Sequence, residues 1–482
     1  MIATTPDKAE RKRLGGWPLW RSHPTITALG VAFAATLLVG MLQGVRPFYA
    51  DAGGYWGLAS EFTQTGHFSL LNYTNPLRGY ALPLALYGLK LIATNTFESQ
   101  STTVTILNVV LFSLIGAVLG PRLAEVIWPQ RRWDALRRIA LMAFLLIFWS
   151  GNLNYPMSDF PGLAMALLAL VAISRSDRPA WMLLAGLAAG LTLNLRPAYL
   201  PLVAMLVAIV ALTWFHERDV PHASVGRRAL CVTMLVAGFT LVSLPQSLSA
   251  NRYYNTWSPI PGSKTAPGAN ETLTEAVLTN GMSAQRWDSF ERPLGTPNAI
   301  DYPDPSGKRL LEQQPEHKIK TAGQYVGLIV HHPGVMVPLL VRHVINGLDN
   351  RFSTVYVERH PNAGLVWLRI GGFILLFLAL VRLFWPTARR RLGPIRWRYP
   401  LALALCVVTS IPSAIETRYM LPIYLLTYLL VLTPGWPNPI GPAEDGWRRF
   451  RTLGALSIAA VVFTAVVWHV VGSIHSYTVY PY

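Results

Sequence analysis

Apolar residues run along this chain in long blocks separated by short polar connections. The first block, residues 25–45, matches the roughly 20 residues a helix needs to cross a bilayer. Further blocks occupy residues 102–120, 139–153, 160–174, 180–195, 197–215, 229–248, 363–385, 399–415, 419–433 and 453–471. The pattern predicts an all-α integral membrane fold with about eleven transmembrane helices. One further block, 79–94, reads differently. It is short, is broken by Pro83 and carries Lys90 and a flanking Arg78, which suits a juxtamembrane helix lying against the bilayer. A helix is also expected near 317–331, and the apolar stretch 335–348 reads as interfacial.

Composition supports the membrane reading: 52% of residues are apolar and 13% are charged, against roughly 25% charged in an ordinary soluble domain. The formal net charge of +17 raises the question of a nucleic-acid partner. The basic residues fall in short clusters between apolar blocks, however, so they read as topology and not as a nucleic-acid surface. Lys8, Arg11, Lys12, Arg13 and Arg21 precede the first block. Arg122, Arg131, Arg132, Arg137 and Arg138 fill one connection, and Arg218, Arg227 and Arg228 another. Arg389, Arg390, Arg391, Arg396 and Arg398 form a third cluster, and Arg448, Arg449 and Arg451 a fourth. All are expected on the cytoplasmic side. Leaving 79–94 out of the crossings makes this consistent, with the amino terminus inside and the carboxyl terminus outside. The first block is then a signal anchor and not a cleavable signal peptide. Cys231 and Cys406 lie inside apolar blocks, so neither a disulfide framework nor a cysteine zinc site is indicated.

The chain divides accordingly into a cytoplasmic basic amino terminus (1–24) and an N-terminal transmembrane catalytic module (25–248) containing a first outer loop (46–94). An extracytoplasmic segment of mixed structure (249–362) and C-terminal transmembrane helices (363–482) follow. The closing "HSYTVYPY" reads as an aromatic tail at the interface.

Candidate chemistry collects in the outer turns. In "FYADAGGYWGLASEF", Tyr55, Leu58, Ala59 and Phe62 recur at helical spacing after Asp51, which predicts a short interfacial helix with Asp51 as its N-cap. Gly53 and Gly54 each cost such a helix roughly 1 kcal/mol. They suggest that a ligand approaches the backbone beside the carboxylate. A helix N-terminus favours the ionised form of Asp51, as a base or a metal ligand requires. Asp159, in "NYPMSDFPG", is either a cap for the next helix or a second site carboxylate on the same face. Arg78, Arg196, Arg252, Arg342 and Arg418 sit at outer turns, against the topological bias. Each alone could snorkel to headgroups, but together they suit an anion site built from guanidinium forks. Tyr55, Tyr73, Tyr80, Tyr199 and Tyr419 lie beside these groups in sequence, as interfacial aromatics or as phosphate or sugar contacts. His331 and His332 match no metal spacing, and no metal is assigned.

The ordered set "DAGGYWGLA", "NPLRGYALPL", "SDFPG", "AGLAAGLTLNLRP", "LPQSLSANRYYNTWSP", "HHPGVMV" and "ETRYMLPIY" resembles the GT-C superfamily of membrane glycosyltransferases. The similarity is to the protein O-mannosyltransferases and the aminoarabinose transferase of lipid A. It implies a polyprenyl-phosphate sugar donor and inverting transfer to an envelope acceptor. By this resemblance Asp51 is the catalytic base, and Asp159 orients the acceptor or holds a metal if one is used. Arg78, Arg196, Arg418 and Tyr55 are then expected at the donor phosphate, with Arg252 and Arg342 as further substrate contacts. A divalent cation is neither required nor excluded by the residues. Two other readings stand beside it. A lipid-linked sugar flippase would place ionisable groups within its spans and often carry internal repeats, neither of which is visible here. An O-antigen ligase or polymerase also places arginines and a large loop on one outer face.

Overall fold

The computed structural model describes residues 23–96, 100–216, 225–262, 271–291, 297–357, 365–384, 396–433, 446–474 and 478–481. The basic residues up to Arg21, together with Arg218, Arg389, Arg390 and Arg391, lie outside the described residues.

Helix α1 (Pro24–Leu42) opens the described chain. In the first outer loop, α2 (Ala50–Leu58) and α3 (Ala81–Thr96) follow. Helix α4 (Gln100–Leu114) continues through a π turn, Ile115–Leu119, into α5 (Gly120–Ile127). Next come α6 (Ala135–Trp149), α7 (Asp159–Ile173), α8 (Pro179–Leu195), α9 (Leu200–His216) and α10 (Val225–Tyr254). Among the described residues seven helices are long and apolar enough to cross a membrane, or eight if one sharply bent pair counts as a span. The protein is therefore a mostly helical, multi-pass membrane protein.

Several apolar blocks make helices too short to meet that criterion: Asp159–Ile173, Pro179–Leu195, Arg398–Ser410 and Thr417–Leu432. The reason is local. Pro197 pushes Arg196 out of helical conformation (φ −146, ψ 88), and the block at 399–415 loses its helix near Cys406. The turns so released carry the charged residues described below.

Helix α8 lies along α10 with almost no side chain between them. A Cβ on Gly186 would fall 2.1 Å from the Leu235 carbonyl oxygen, and one on Gly238 would fall 2.4 Å from that of Leu183. Small residues at such a crossing let van der Waals contact act between backbones, where lipid supplies no hydrophobic drive. Helix α10 has 30 residues, or about 45 Å at 1.5 Å per residue, so it outruns a hydrocarbon core of about 30 Å. Its upper end grips the first outer loop. Ser249 Oγ and Tyr254 OH donate to the Tyr73 and Thr74 carbonyls, and Tyr253 OH donates to that of Leu71 at 3.0 Å.

The outer segment contains α11 (Leu273–Ser283), β1 (Ala284–Glu291), β2 (Pro297–Pro303), α12 (Pro305–Glu312), α13 (Ala322–His331), α14 (Pro333–Gly347) and β3 (Tyr356–Val357). Leu278, Met282, Leu310, Ile319, Tyr325, Met336 and Leu339 give it a core separate from that of the membrane helices. Helices α13 and α14 form the bent pair, turning by 116° where Pro333 follows His332. The remaining helices are α15 (Val366–Phe384), α16 (Arg398–Leu405), α17 (Leu421–Leu432) and α18 (Gly446–Gly472). The chain then returns to the outer segment as β4 (Thr478–Pro481), which completes a four-stranded sheet in the order β3-β1-β2-β4. The aromatic tail read from sequence as interfacial is thus a strand: residues 478–481 pair antiparallel with β2, Ile300 opposite Val479. Period-two signals four residues long are too weak to show this without a partner strand.

Candidate functional site

Six charged side chains meet where the first outer loop, the turns at 158–159, 196 and 416–418, and the outer segment come together. Asp51 lies in the first turn of α2, directly after Ala50, whose φ of 39° is left-handed. Its carboxylate pairs with Arg78 and with Arg418, the latter at 2.7 Å. Arg418 also reaches Glu416 at 2.7 Å and Asp159 at 3.8 Å. Asp159 in turn pairs with Arg196 at 2.7 Å. Neither Asp159 oxygen has a well-directed hydrogen bond, so this contact is ionic and leaves acceptor capacity in a side chain only 4% exposed. Three carboxylates balance three guanidiniums, with Arg418 touching all three acids.

The sequence predicts Asp51 as a helix cap and offers a cap as one of two roles for Asp159, and neither residue is one. Tyr49 and Ser158 occupy the N-cap positions of α2 and α7, and no side chain accepts a capping hydrogen bond at either. The arginines draw the carboxylates away from the helix ends. Burial pushes the Asp51 carboxyl up, but Arg418 and Arg78 outweigh it and hold the group at about 2. Burial raises the neighbouring Glu416, against the pull of Arg418.

The glycines of "DAGG" also answer to the arginines. A Cβ on Gly54 would lie 2.1 Å from Arg78 Nη1. The room beside Asp51 is therefore filled by Arg78, where the sequence suggested a ligand. A Cβ on Gly53 would press on the Phe48 carbonyl oxygen at 3.1 Å. Tyr55 packs against the apolar cluster around Trp56 and also reaches this site: its ring lies under the Arg78 guanidinium at 4.5 Å, and its hydroxyl donates to Ser158 Oγ at 3.1 Å. The fully buried residues of the segment are Ala52, Trp56, Ala59 and Phe62, which retains Ala59 and Phe62 of the predicted face and adds Ala52 and Trp56.

Each arginine is placed by its local chain. Asn75 Oδ1 accepts from Leu77 N at 3.0 Å and Arg78 N at 2.8 Å, a turn that fixes the base of Arg78. Tyr73 OH donates to the Arg78 carbonyl at 2.9 Å. Arg196 stacks over the Tyr419 ring at 4.8 Å and lies 6.0 Å from the centre of Tyr199. The short 3₁₀ turn Thr417–Met420 carries Arg418, and Tyr419 OH donates to Glu416 at 2.7 Å. Tyr80 turns away, its hydroxyl donating to the Val242 carbonyl at 2.8 Å.

The outer segment holds two of these pieces directly. Trp287 N of β1 donates to the Ile415 carbonyl at 3.0 Å, tying down the turn that bears Glu416 and Arg418. Tyr356 of β3 donates its hydroxyl to the Tyr49 carbonyl at 2.9 Å and accepts from Ala52 N at 3.0 Å, which fixes the start of α2 around Asp51. Neither Glu416 nor Tyr356 was singled out from sequence. The acid two residues before the arginine in "ETRY" was a usable signal for the first; nothing local marks the second.

Two expected substrate contacts lie elsewhere. Arg342 pairs with Asp304, which also caps α12, so it braces the outer segment. Arg252 is exposed near the end of α10 and sits over the ring of its neighbour Tyr253 at 5.4 Å. His331 Nδ1 contacts the Gly327 carbonyl oxygen at 2.7 Å within its own helix. Among the described residues no group of three His, Cys, Asp or Glu side chains is arranged to hold a metal ion.

No family model matches the chain, and no curated protein or solved structure is significantly similar to it.

Proposed function

We propose that the protein is an inverting glycosyltransferase of the cell membrane that moves a sugar from a polyprenyl-phosphate donor to an envelope acceptor on the extracytoplasmic face. One observation carries the reading: Asp51 and Asp159 share a single cluster with Arg78, Arg196 and Arg418. Four of the shorter apolar helices, α7, α8, and those at Arg398–Ser410 and Thr417–Leu432, added to the seven long ones give eleven crossings. With α3 lying against the bilayer and the basic connections inside, all six charged groups fall on the outer side.

The chemistry needs one base and a cationic seat. A lone pair of the acceptor hydroxyl forms the new bond to the anomeric carbon as the bond from that carbon to the phosphate oxygen breaks. The polyprenyl phosphate leaves with the bonding electrons, and the acceptor proton passes to Asp51. A phosphate anion is a stable leaving group, so no acid is needed on that side. Arg78, Arg196 and Arg418 offer guanidinium forks suited to its oxygens. A carboxylate held at about 2 is a weak base. Donor phosphate resolves this, because it competes with Asp51 for Arg78 and Arg418 and frees the carboxylate only when substrate is in place. Asp159, with its open oxygens and its own arginine, positions the acceptor.

A flippase is disfavoured by where the charges lie, at helix ends instead of mid-span. The test is transfer from radiolabelled polyprenyl-phosphate sugars by protein in lipid nanodiscs. We expect transfer by the native chain and none by folded Asp51→Asn or Asp51→Ala. Full activity in both variants would remove Asp51 as base.

A further inference from the structure

Between Lys320 and Arg342 the chain carries no Asp, Glu, Lys or Arg, although helices α13 and α14 belong to the outer segment. One face of this bent pair is used within the protein. Tyr325 and Leu328 of α13, with Met336 and Leu339 of α14, enter the core of the outer segment. The opposite face is apolar as well. Val326 and Val330 on α13, and Val337 and Val341 on α14, recur at helical spacing and are 42–67% exposed. Pro333 and Pro338 are exposed beside them. An apolar face of this kind is costly in water. The charged side chains of the segment stop short of it: Lys318 and Lys320, just before α13, pair with Glu271 and Glu316.

What covers the valines follows from their neighbours. Ile345, one turn beyond Val341, packs with Val344 on the core of the membrane helices, and α14 lies against α18. Helix α18 is apolar, long enough to cross the bilayer and almost wholly exposed, so hydrocarbon covers it. The valine stripe is therefore continuous with a lipid-facing surface. The pair is not itself a crossing. Ile319 N, just before α13, donates to Thr279 Oγ1 at 3.1 Å, and His343 Nε2, late in α14, lies 3.1 Å from the Ala284 carbonyl oxygen. Both ends are thus held by neighbouring parts of the outer segment, and the 116° bend turns the chain back to the side it left.

We propose that the exposed face of the α13–α14 elbow is inserted in the bilayer, with the four valines in the hydrocarbon of one leaflet and the imidazoles of His331 and His332 at the headgroup boundary. The contact reaches the charged cluster through α14. A Cβ on Gly347 would fall 2.8 Å from Ile415 and 3.0 Å from Met420, and His343 Nδ1 lies 2.6 Å from the Ile411 carbonyl oxygen. The helix that sits in lipid thus also braces the turn bearing Glu416 and Arg418, and the elbow sets the depth of that turn in the membrane. Neither statement rests on the transferase reading.

The experiment is site-directed spin labelling of the full chain, one copy to each lipid nanodisc. Cys231 and Cys406 are buried, and the unsubstituted chain serves as the labelling blank. A nitroxide is attached at Val330→Cys or Val337→Cys, with Ile458→Cys on α18 as the lipid reference and Lys320→Cys as the water reference. Collision with oxygen is compared with collision with a nickel chelate. We expect both valine positions to favour oxygen, as Ile458 does, at a depth of roughly 5–10 Å below the headgroup boundary, and Lys320 to favour nickel. Nickel favoured at both valine positions places the face in water and overturns the proposal. Shielding from both reagents overturns it too, because protein then covers the face in place of lipid. Val326→Cys and Val341→Cys report the same face if a label at the first two positions disturbs the fold.

Discussion

Replacing Asp51 with Asn separates two roles that a simple substrate contact would combine. If Asp51 competes with the donor phosphate for Arg78 and Arg418, its neutral analogue should bind polyprenyl phosphate more tightly and transfer nothing. The size follows from the carboxyl's position. Its displacement from the ordinary 3.8 to about 2 corresponds to roughly 2.5 kcal/mol at 1.36 kcal/mol per pH unit. Because the side chain is 37% exposed, solvent screening reduces this to about 1 kcal/mol. That figure is a roughly fivefold gain in affinity. The sign with pH is fixed as well. A depressed folded value means that the pairing is fully present above about 3.8 and is lost as pH falls towards about 2. The gain should therefore be constant from pH 5 to pH 8. Binding of radiolabelled undecaprenyl phosphate to native and Asp51→Asn protein in nanodiscs, across that range, measures it. Weaker or unchanged binding in the variant would refute the competition.

Gly54→Ala should displace the Arg78 guanidinium, since its Cβ would fall 2.1 Å from Nη1, and should abolish donor binding in a folded protein. Gly57→Ala, where nothing lies within 4 Å, should keep binding and gain up to about 1 kcal/mol in a thermal-shift assay. Tyr356→Phe removes the hydroxyl that joins Tyr49 and Ala52, so it should lower stability by about 1–2 kcal/mol and slow transfer, read by thermal unfolding and the transfer assay. Asp301 in β2 has a buried, unpartnered Oδ1, and burial raises its carboxyl to about 6 against the pull of Lys308. A raised acid favours the folded state only while protonated, so that contribution fades as pH rises through about 6. Asp301→Asn should thus raise the melting temperature by about 1–2 °C at pH 8 and leave it unchanged at pH 4. An equal shift at both values would contradict the burial argument.

What the sequence made legible was the mostly helical, multi-pass character of the chain and the turns between helices that carry its charged candidates. Both follow from short-range chemistry: blocks of apolar residues need lipid, and charged residues collect in the connections between them. That was enough to select Asp51, Asp159, Arg78, Arg196, Arg418 and Tyr55 as candidates. Pairing was not legible. Arg418 meets Asp51 across 367 positions of chain, and no local pattern encodes such a contact. For the same reason Gly54 was read as room for a ligand when it is room for Arg78, and Arg342, equally isolated in sequence, proved to brace Asp304. The edge strands β3 and β4, of two and four residues, are strands only through their neighbours and carry no pattern of their own, and the longer central pair β1 and β2 lies in a segment read from sequence only as mixed. The break at Arg196 was legible because Pro197 follows it, and the helix ends at Leu195 as the block does; the block at 399–415 was read as one helix, but its α-helix stops at Leu405, ahead of the turn that bears Glu416 and Arg418.

The most direct measurement is an experimental structure of the protein in nanodiscs with undecaprenyl phosphate bound. We expect its phosphate oxygens within hydrogen-bonding distance of at least two of Arg78, Arg196 and Arg418, with the Asp51 carboxylate released from the guanidinium the phosphate has taken. A phosphate seated away from all three arginines, with the Asp51 pairs intact, would contradict the assignment of this cluster as the site of transfer.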